Sequence, residues 1–164
     1  MSEPLVSVIV GSKSDAGAIS GCREVLNSLR IPHEARVLSA HRTPRETAEY
    51  AEGLQARGVR VVIAGAGMSA ALAGVVAAHT ILPVLGVPLA SGSLQGVDAL
   101  LSVAQMPPGV PVGCLAVGPA GGKNAAYLAA RILALDSEDI RRRVEQAREA
   151  MRESVLAATL PDPE

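Results

Sequence analysis

Through the first two-thirds of the chain, short aliphatic and β-branched runs alternate with segments of helical spacing, and the runs stop at glycine or polar turns. Runs that are apolar at nearly every position suit strands covered on both faces, which occur in parallel sheets. Their alternation with helices points to an α/β domain wound on both sides of one parallel sheet. The strands are expected at 6–10, 35–38, 59–64, 82–87 and 112–117. The helices are expected at 16–29, from Pro44 to near Gly58, and at 69–79, 96–105 and 124–135. Asp15 stands where the N-cap of the first helix belongs, and Pro44 suits the first turn of the second.

A charged helix is expected from about 137 to 158. It carries Ile140, Val144, Ala147, Met151 and Val155 on one stripe, with Glu138–Arg142 and Asp139–Arg143 as i,i+4 pairs. The 164 residues contain no linker or repeat and read as a single catalytic domain, 1–164, with its core at about 5–135 and a C-terminal helical extension.

Of the residues, 49% are hydrophobic, yet there is no Phe, no Trp and only two Tyr, so the core must be built from Val, Leu, Ile, Ala and Met. Such side chains bury little area each, which favours a homo-oligomer whose subunit contacts bury more. The net charge of −1 comes without a basic face interleaved with aromatics, so no nucleic-acid partner is expected. The N-terminal apolar run is too short for a signal peptide, and no stretch has the ~20 apolar residues of a membrane span. A cytoplasmic protein with no membrane partner is expected. Cys22 and Cys114 lack metal-ligand spacing and read as two reduced, buried thiols. His33 is expected in an exposed turn and His79 at a helix end. Neither forms a metal triad with His41, so neither metal nor organic cofactor is expected.

Two polar segments follow strands: Gly11-Ser12-Lys13-Ser14-Asp15 and Ser39-Ala40-His41-Arg42-Thr43-Pro44. The crevice outside the carboxyl ends of parallel strands is where ligands bind, and a helix N-terminus there would favour a phosphate. The first segment lacks the spacing of a Walker loop, but Arg42 offers a guanidinium that can hold phosphate oxygens bidentately. His41 is the candidate for proton transfer near neutral pH. Gly65-Ala66-Gly67-Met68-Ser69-Ala70-Ala71-Leu72 offers backbone rather than side-chain chemistry, since its glycines allow close approach to a planar ligand. Pro83, Pro88, Ser91, Gly92 and Ser93 make a further polar loop at a strand end.

In these segments, and in PVLGVP (83–88), GVDALLSVAQMPPGVPVG (96–113) and NAAYLAARIL (124–133), the chain resembles the N5-carboxyaminoimidazole ribonucleotide mutases of purine synthesis. The resemblance runs to about Leu135 and implies a flavodoxin-like three-layer fold, assembled as a homo-octamer with sites at subunit junctions. It implies that Ser12, Ser14 and Arg42 hold the phosphate of a ribonucleotide and Asp15 its ribose. Ser39 and Ala40 would join them in binding substrate. Gly67, Met68, Ser69, Ala70, Ala71 and Leu72 would enclose the imidazole and its mobile carboxyl group, and His41 would be the general acid–base.

One position departs from the pattern: Ala71 stands where the bacterial mutases have a histidine. The related carboxylases, which take aminoimidazole ribonucleotide and carbon dioxide directly, also lack that histidine. They usually have Lys where this chain has Arg42. Direct carboxylation is therefore the alternative activity, and a non-catalytic nucleotide-binding domain on the same fold is a third.

Overall fold

The computed structural model describes residues 3–159. Its five strands are β1 (Val6–Val10), β2 (His33–Val37), β3 (Val61–Gly67), β4 (Val84–Leu89) and β5 (Gly113–Cys114). All pair in parallel, in the order β2-β1-β3-β4-β5. This is the flavodoxin-like order, in which the direction of winding reverses between β1 and β3.

The helices are α1 (Ser20–Ser28), α2 (Pro44–Glu52), α3 (Leu72–Ala78), α4 (Val97–Ala104), α5 (Pro119–Leu133) and α6 (Glu138–Ala157). On one side of the sheet, Val8, Val10, Ile63 and Val87 pack with Cys22 and Leu26 of α1, with Ala125, Ala126, Ala129 and Ala130 of α5, and with Ile140 and Val144 of α6. On the other side, Ile9, Val62 and Ala64 pack with Ala51 of α2, Leu72 and Val76 of α3, and Ala99 and Val103 of α4. Because every residue of β1 is buried, alternation cannot show in it. The small side chains let helices lie close on the sheet: a Cβ on Gly86 would run into Val103 and Val112.

Several boundaries differ from expectation, each for a local reason. Asp15 caps no helix: Ser12 caps a 3-10 turn over Lys13–Ala16, accepting from the Ser14 N–H at 3.4 Å. Gly17 follows, a poor helix former, and α1 starts only at Ser20. β2 runs from His33 to Val37, so His33 is a half-buried strand residue, with Nδ1 3.0 Å from the Ile31 carbonyl. α2 ends at Glu52, before Gly53, and a separate 3-10 turn, Gln55–Arg57, leads to Gly58 at φ +84°.

β3 continues to Gly67 because β4 extends to Leu89 and pairs with it there. Met68 then takes a left-handed conformation (φ +55°), which delays α3 to Leu72. β5 is only two residues long, and α5 opens at Pro119, five residues before the expected start, with proline in its first turn.

On α6, Asp139–Arg143 forms at 2.6 Å, but Glu138 meets Arg141 rather than Arg142, one residue nearer. Arg142 turns to Asp139 at 3.5 Å. The apolar stripe is split: Ile140 and Val144 are buried and Ala147 packs against them, whereas Met151 is 44% exposed and Val155 74%, beyond the part of α6 that joins the core. His79 sits at the end of α3, with Nδ1 3.0 Å from Glu52. Cys22 and Cys114 are both free, the first buried and the second half-buried, and burial pushes the Cys22 thiol up to about 12. No described helix is long and apolar enough to cross a membrane. The outermost residues of the expected domain, 1–2 and 160–164, lie outside the described part.

Candidate active site

Strands β1, β2 and β3 all end at the same edge of the sheet, so the segments that follow them converge on one pocket of about 520 Å³. Ser12, Ser14 and Asp15 line it from the turn after β1, and Ser39, Ala40, His41 and Arg42 from the turn after β2. Gly67, Met68, Ser69, Ala71 and Leu72 line it from the end of β3. Ala70 is the exception among the expected residues: it is 1% exposed and packs in the core with Leu72 and Ala73.

The pocket also takes in Gly11, Ala66 and Ser91. Ser91 follows β4, the strand beside β3, and only the sheet order brings it to the site. The polar loop after β4 was visible in sequence, but which of its serines faces a ligand was not. Gly67 has no room for a side chain, since a Cβ there would lie 3.1 Å from the Ser91 Cβ and 3.2 Å from the Leu89 carbonyl.

Arg42 ties the first two segments together. Its Nη2 donates to the Gly11 carbonyl at 2.8 Å, and its Nε donates to the Ser39 hydroxyl at 3.3 Å. A guanidinium has five N–H donors, so three remain for an anion. Opposite, the Ser14 hydroxyl donates to that of Ser12 at 2.9 Å. A short 3-10 turn stands here in place of the expected helix N-terminus. Asp15 is the carboxylate of the site. Burial pushes its pKa above the ordinary value, against the opposing pull of the Ser12 backbone N–H and the Arg42 charge. His41 is exposed on the pocket wall. Among the described residues, no group of three or more His, Cys, Asp or Glu is placed to hold a metal ion.

A cation, paired hydroxyls, a carboxylate and an imidazole stand together at the switch point of an open parallel sheet, the place where α/β proteins of this class bind their ligands. A model of the family described as AIR carboxylase matches residues 5–154, and the chain belongs to that family.

A relative from Pseudomonas aeruginosa PAO1, named N5-carboxyaminoimidazole ribonucleotide mutase, is 51% identical over 159 residues, covering 97% of this chain and 96% of the relative. The protein of the same name from Bacillus subtilis 168 is 47% identical over 157 residues, covering 96% and 97%. The fold also matches the crystal structure of Treponema denticola PurE, with a TM-score of 0.84 at 30% identity over 93% of this chain and 94% of that one.

Proposed function

We propose that the chain interconverts N5-carboxyaminoimidazole ribonucleotide and 4-carboxyaminoimidazole ribonucleotide in purine biosynthesis, acting as a cytoplasmic homo-octamer. The observation that carries this reading is the convergence of Arg42, the Ser12–Ser14 pair, Asp15 and His41 on one pocket beneath a wall of small residues. Arg42 and the serines bind the phosphate, Asp15 the ribose, and the Gly67–Leu72 segment the imidazole.

The carbamate C–N bond breaks, its electron pair returns to the exocyclic nitrogen, and His41 supplies the proton that nitrogen takes up. The released carbon dioxide stays in the pocket. The ring carbon attacks it to form the new C–C bond, and the proton on that carbon passes back to His41. Atoms balance, since the product is an isomer of the substrate. The reaction requires that water be kept out and carbon dioxide kept in, which suits close-packed backbone with little side-chain bulk.

The exposed Val97, Leu100 and Leu101 share one face of α4, which supports further assembly.

Ala71 favours a second reading. It lines the pocket with a methyl group where the mutases carry an imidazole, as the direct carboxylases do. A side-by-side assay decides between them, following 4-carboxyaminoimidazole ribonucleotide. One reaction starts from the N5-carboxy compound at low carbon dioxide, the other from aminoimidazole ribonucleotide with bicarbonate and carbonic anhydrase. Turnover of the first is expected. Turnover of the second alone assigns direct carboxylation and makes Ala71 the feature that distinguishes the two activities.

A further inference from the structure

We propose that Thr43 is the positioning residue of this site. It holds the Ser39–Arg42 turn closed, so that the imidazole of His41 and the guanidinium of Arg42 are delivered together to the pocket. The proposal rests on the reaction assigned above and adds to it a residue that does not itself line the pocket.

His41 lies on an exposed turn with no regular secondary structure, and among the described residues no side-chain hydrogen bond holds its ring. The position of its Cα and the direction of its Cα–Cβ bond are set by the backbone on either side. Thr43 closes that backbone in three ways. Its hydroxyl accepts from the Ser39 N–H at 2.9 Å, the same hydroxyl donates to the Ser39 carbonyl at 3.1 Å, and its own N–H donates to that carbonyl at 2.8 Å. The Ser39 main chain is thus satisfied on both sides by one residue four positions on.

The closed turn brings the Ser39 hydroxyl within reach of Arg42, whose backbone N–H donates to it at 3.2 Å and whose Nε donates at 3.3 Å. Arg42 then reaches across to Gly11. At the other end, Thr47, 0% exposed, donates its hydroxyl to the Thr43 carbonyl at 2.7 Å and fastens Thr43 to the first turn of α2. The chain of hydrogen bonds runs from a buried anchor to the main chain on both sides of His41, at Ser39 and Arg42. A catalytic group misplaced by even about 1 Å can cost ~100-fold in rate, so this turn has a direct kinetic consequence.

Valine has the shape of threonine without the hydroxyl, and serine keeps the hydroxyl without the methyl. Thr43→Val is expected to lower kcat by at least about tenfold, with KM moved less than about threefold. Thr43→Ser should recover most of the rate. Melting temperatures of both variants are measured alongside.

Amide hydrogen exchange reads the turn without any variant. The Ser39 N–H should be protected at least about tenfold over a free peptide in the wild type. That protection should vanish in Thr43→Val, while the amides of β1 and β3 keep theirs. A folded Thr43→Val variant with wild-type kcat, or an unprotected Ser39 amide in the wild type, overturns the proposal. If Thr43→Val fails to fold, the wild-type exchange and the Thr43→Ser rate decide it. If the wild type turns over neither substrate, the reading of the reaction fails instead. The exchange comparison then decides the Thr43 proposal by itself.

Discussion

Tyr50 fastens α2, the helix that carries the His41 turn, to the sheet, and removing its hydroxyl tests that account of the fold. The hydroxyl donates to the Glu34 carboxylate at 2.6 Å and accepts from Ser7, which is 0% exposed, at 2.8 Å. Arg57 completes the cluster, with Nη2 3.1 Å from Glu34 and its guanidinium 4.6 Å above the Tyr50 ring.

Tyr50→Phe keeps the ring and its stacking but deletes both hydrogen bonds. A bond to a charged partner contributes about 1.5–3 kcal/mol, and stranding a buried hydroxyl costs about 1–3 kcal/mol. The two losses overlap in one network, so a net destabilisation of roughly 2–4 kcal/mol is expected. Adding Ser7→Ala should recover part of it, since the stranded hydroxyl is then gone. A coupling of at least about 0.5 kcal/mol between the two sites is expected.

The assay is urea unfolding followed by circular dichroism at a fixed protomer concentration, because assembly would make apparent stability depend on concentration. The pH dependence has a definite sign. Burial pushes the Glu34 pKa up, but the hydrogen bonds from Tyr50 and Arg57 together with the charges of Arg57 and Arg36 outweigh it and lower the carboxyl from its ordinary value. A depressed folded pKa adds stability that is present above the unfolded value and lost as pH falls through the folded one. The Tyr50→Phe deficit should therefore be full at pH 7 and shrink in acid. A variant within about 0.5 kcal/mol of wild type at pH 7, with an unchanged m-value, would refute the reasoning.

Three further outcomes are expected. His41→Asn should fold and still bind nucleotide but lose at least about 100-fold in turnover, and more than about a tenth of wild-type activity remaining would remove His41 from the mechanism. Asp15→Asn should trade function for stability. The folded pKa of Asp15 is raised, chiefly by burial, so its ionisation destabilises the fold as pH rises through that value. The amide should thus raise the melting temperature at pH 7, lose that advantage below the carboxylate range, and weaken substrate binding. An unchanged melting temperature at pH 7 would count against this. Light scattering at micromolar concentration should report an oligomer, and a monomer would contradict both the assembly and the use made of the exposed α4 face.

The apolar runs were enough to place β1, β3 and β4, because strands covered on both faces are apolar at nearly every position. The edge strand β2, which reads HEARV with three exposed residues, and the two-residue β5 were less legible. Boundaries were less legible where a glycine or a left-handed residue intervenes. Gly17, Gly53 and Met68 each stop or delay a helix whose side-chain spacing runs on without a break. The polar segments after β1 and β2 were visible as candidate site residues, since hydroxyls, a carboxylate, an imidazole and a guanidinium after an apolar run have no place in a core.

By itself, the sequence determined the class of fold, the polar segments that supply the pocket, and the small-residue wall, all of which depend on residue types and near-neighbour spacing. Only the tertiary structure decided which segments meet. The parallel order β2-β1-β3-β4-β5 sets the ends of β1, β2 and β3 side by side and brings Ser91 in from β4. The structure also buried Ala70 in the core and tied Thr43 to the Ser39 main chain, a closure of the turn that residue types alone do not show. Met151 and Val155 keep their helical spacing whether or not anything lies beneath them; only the packing of α6, which joins the core through Ile140 and Val144, leaves them exposed.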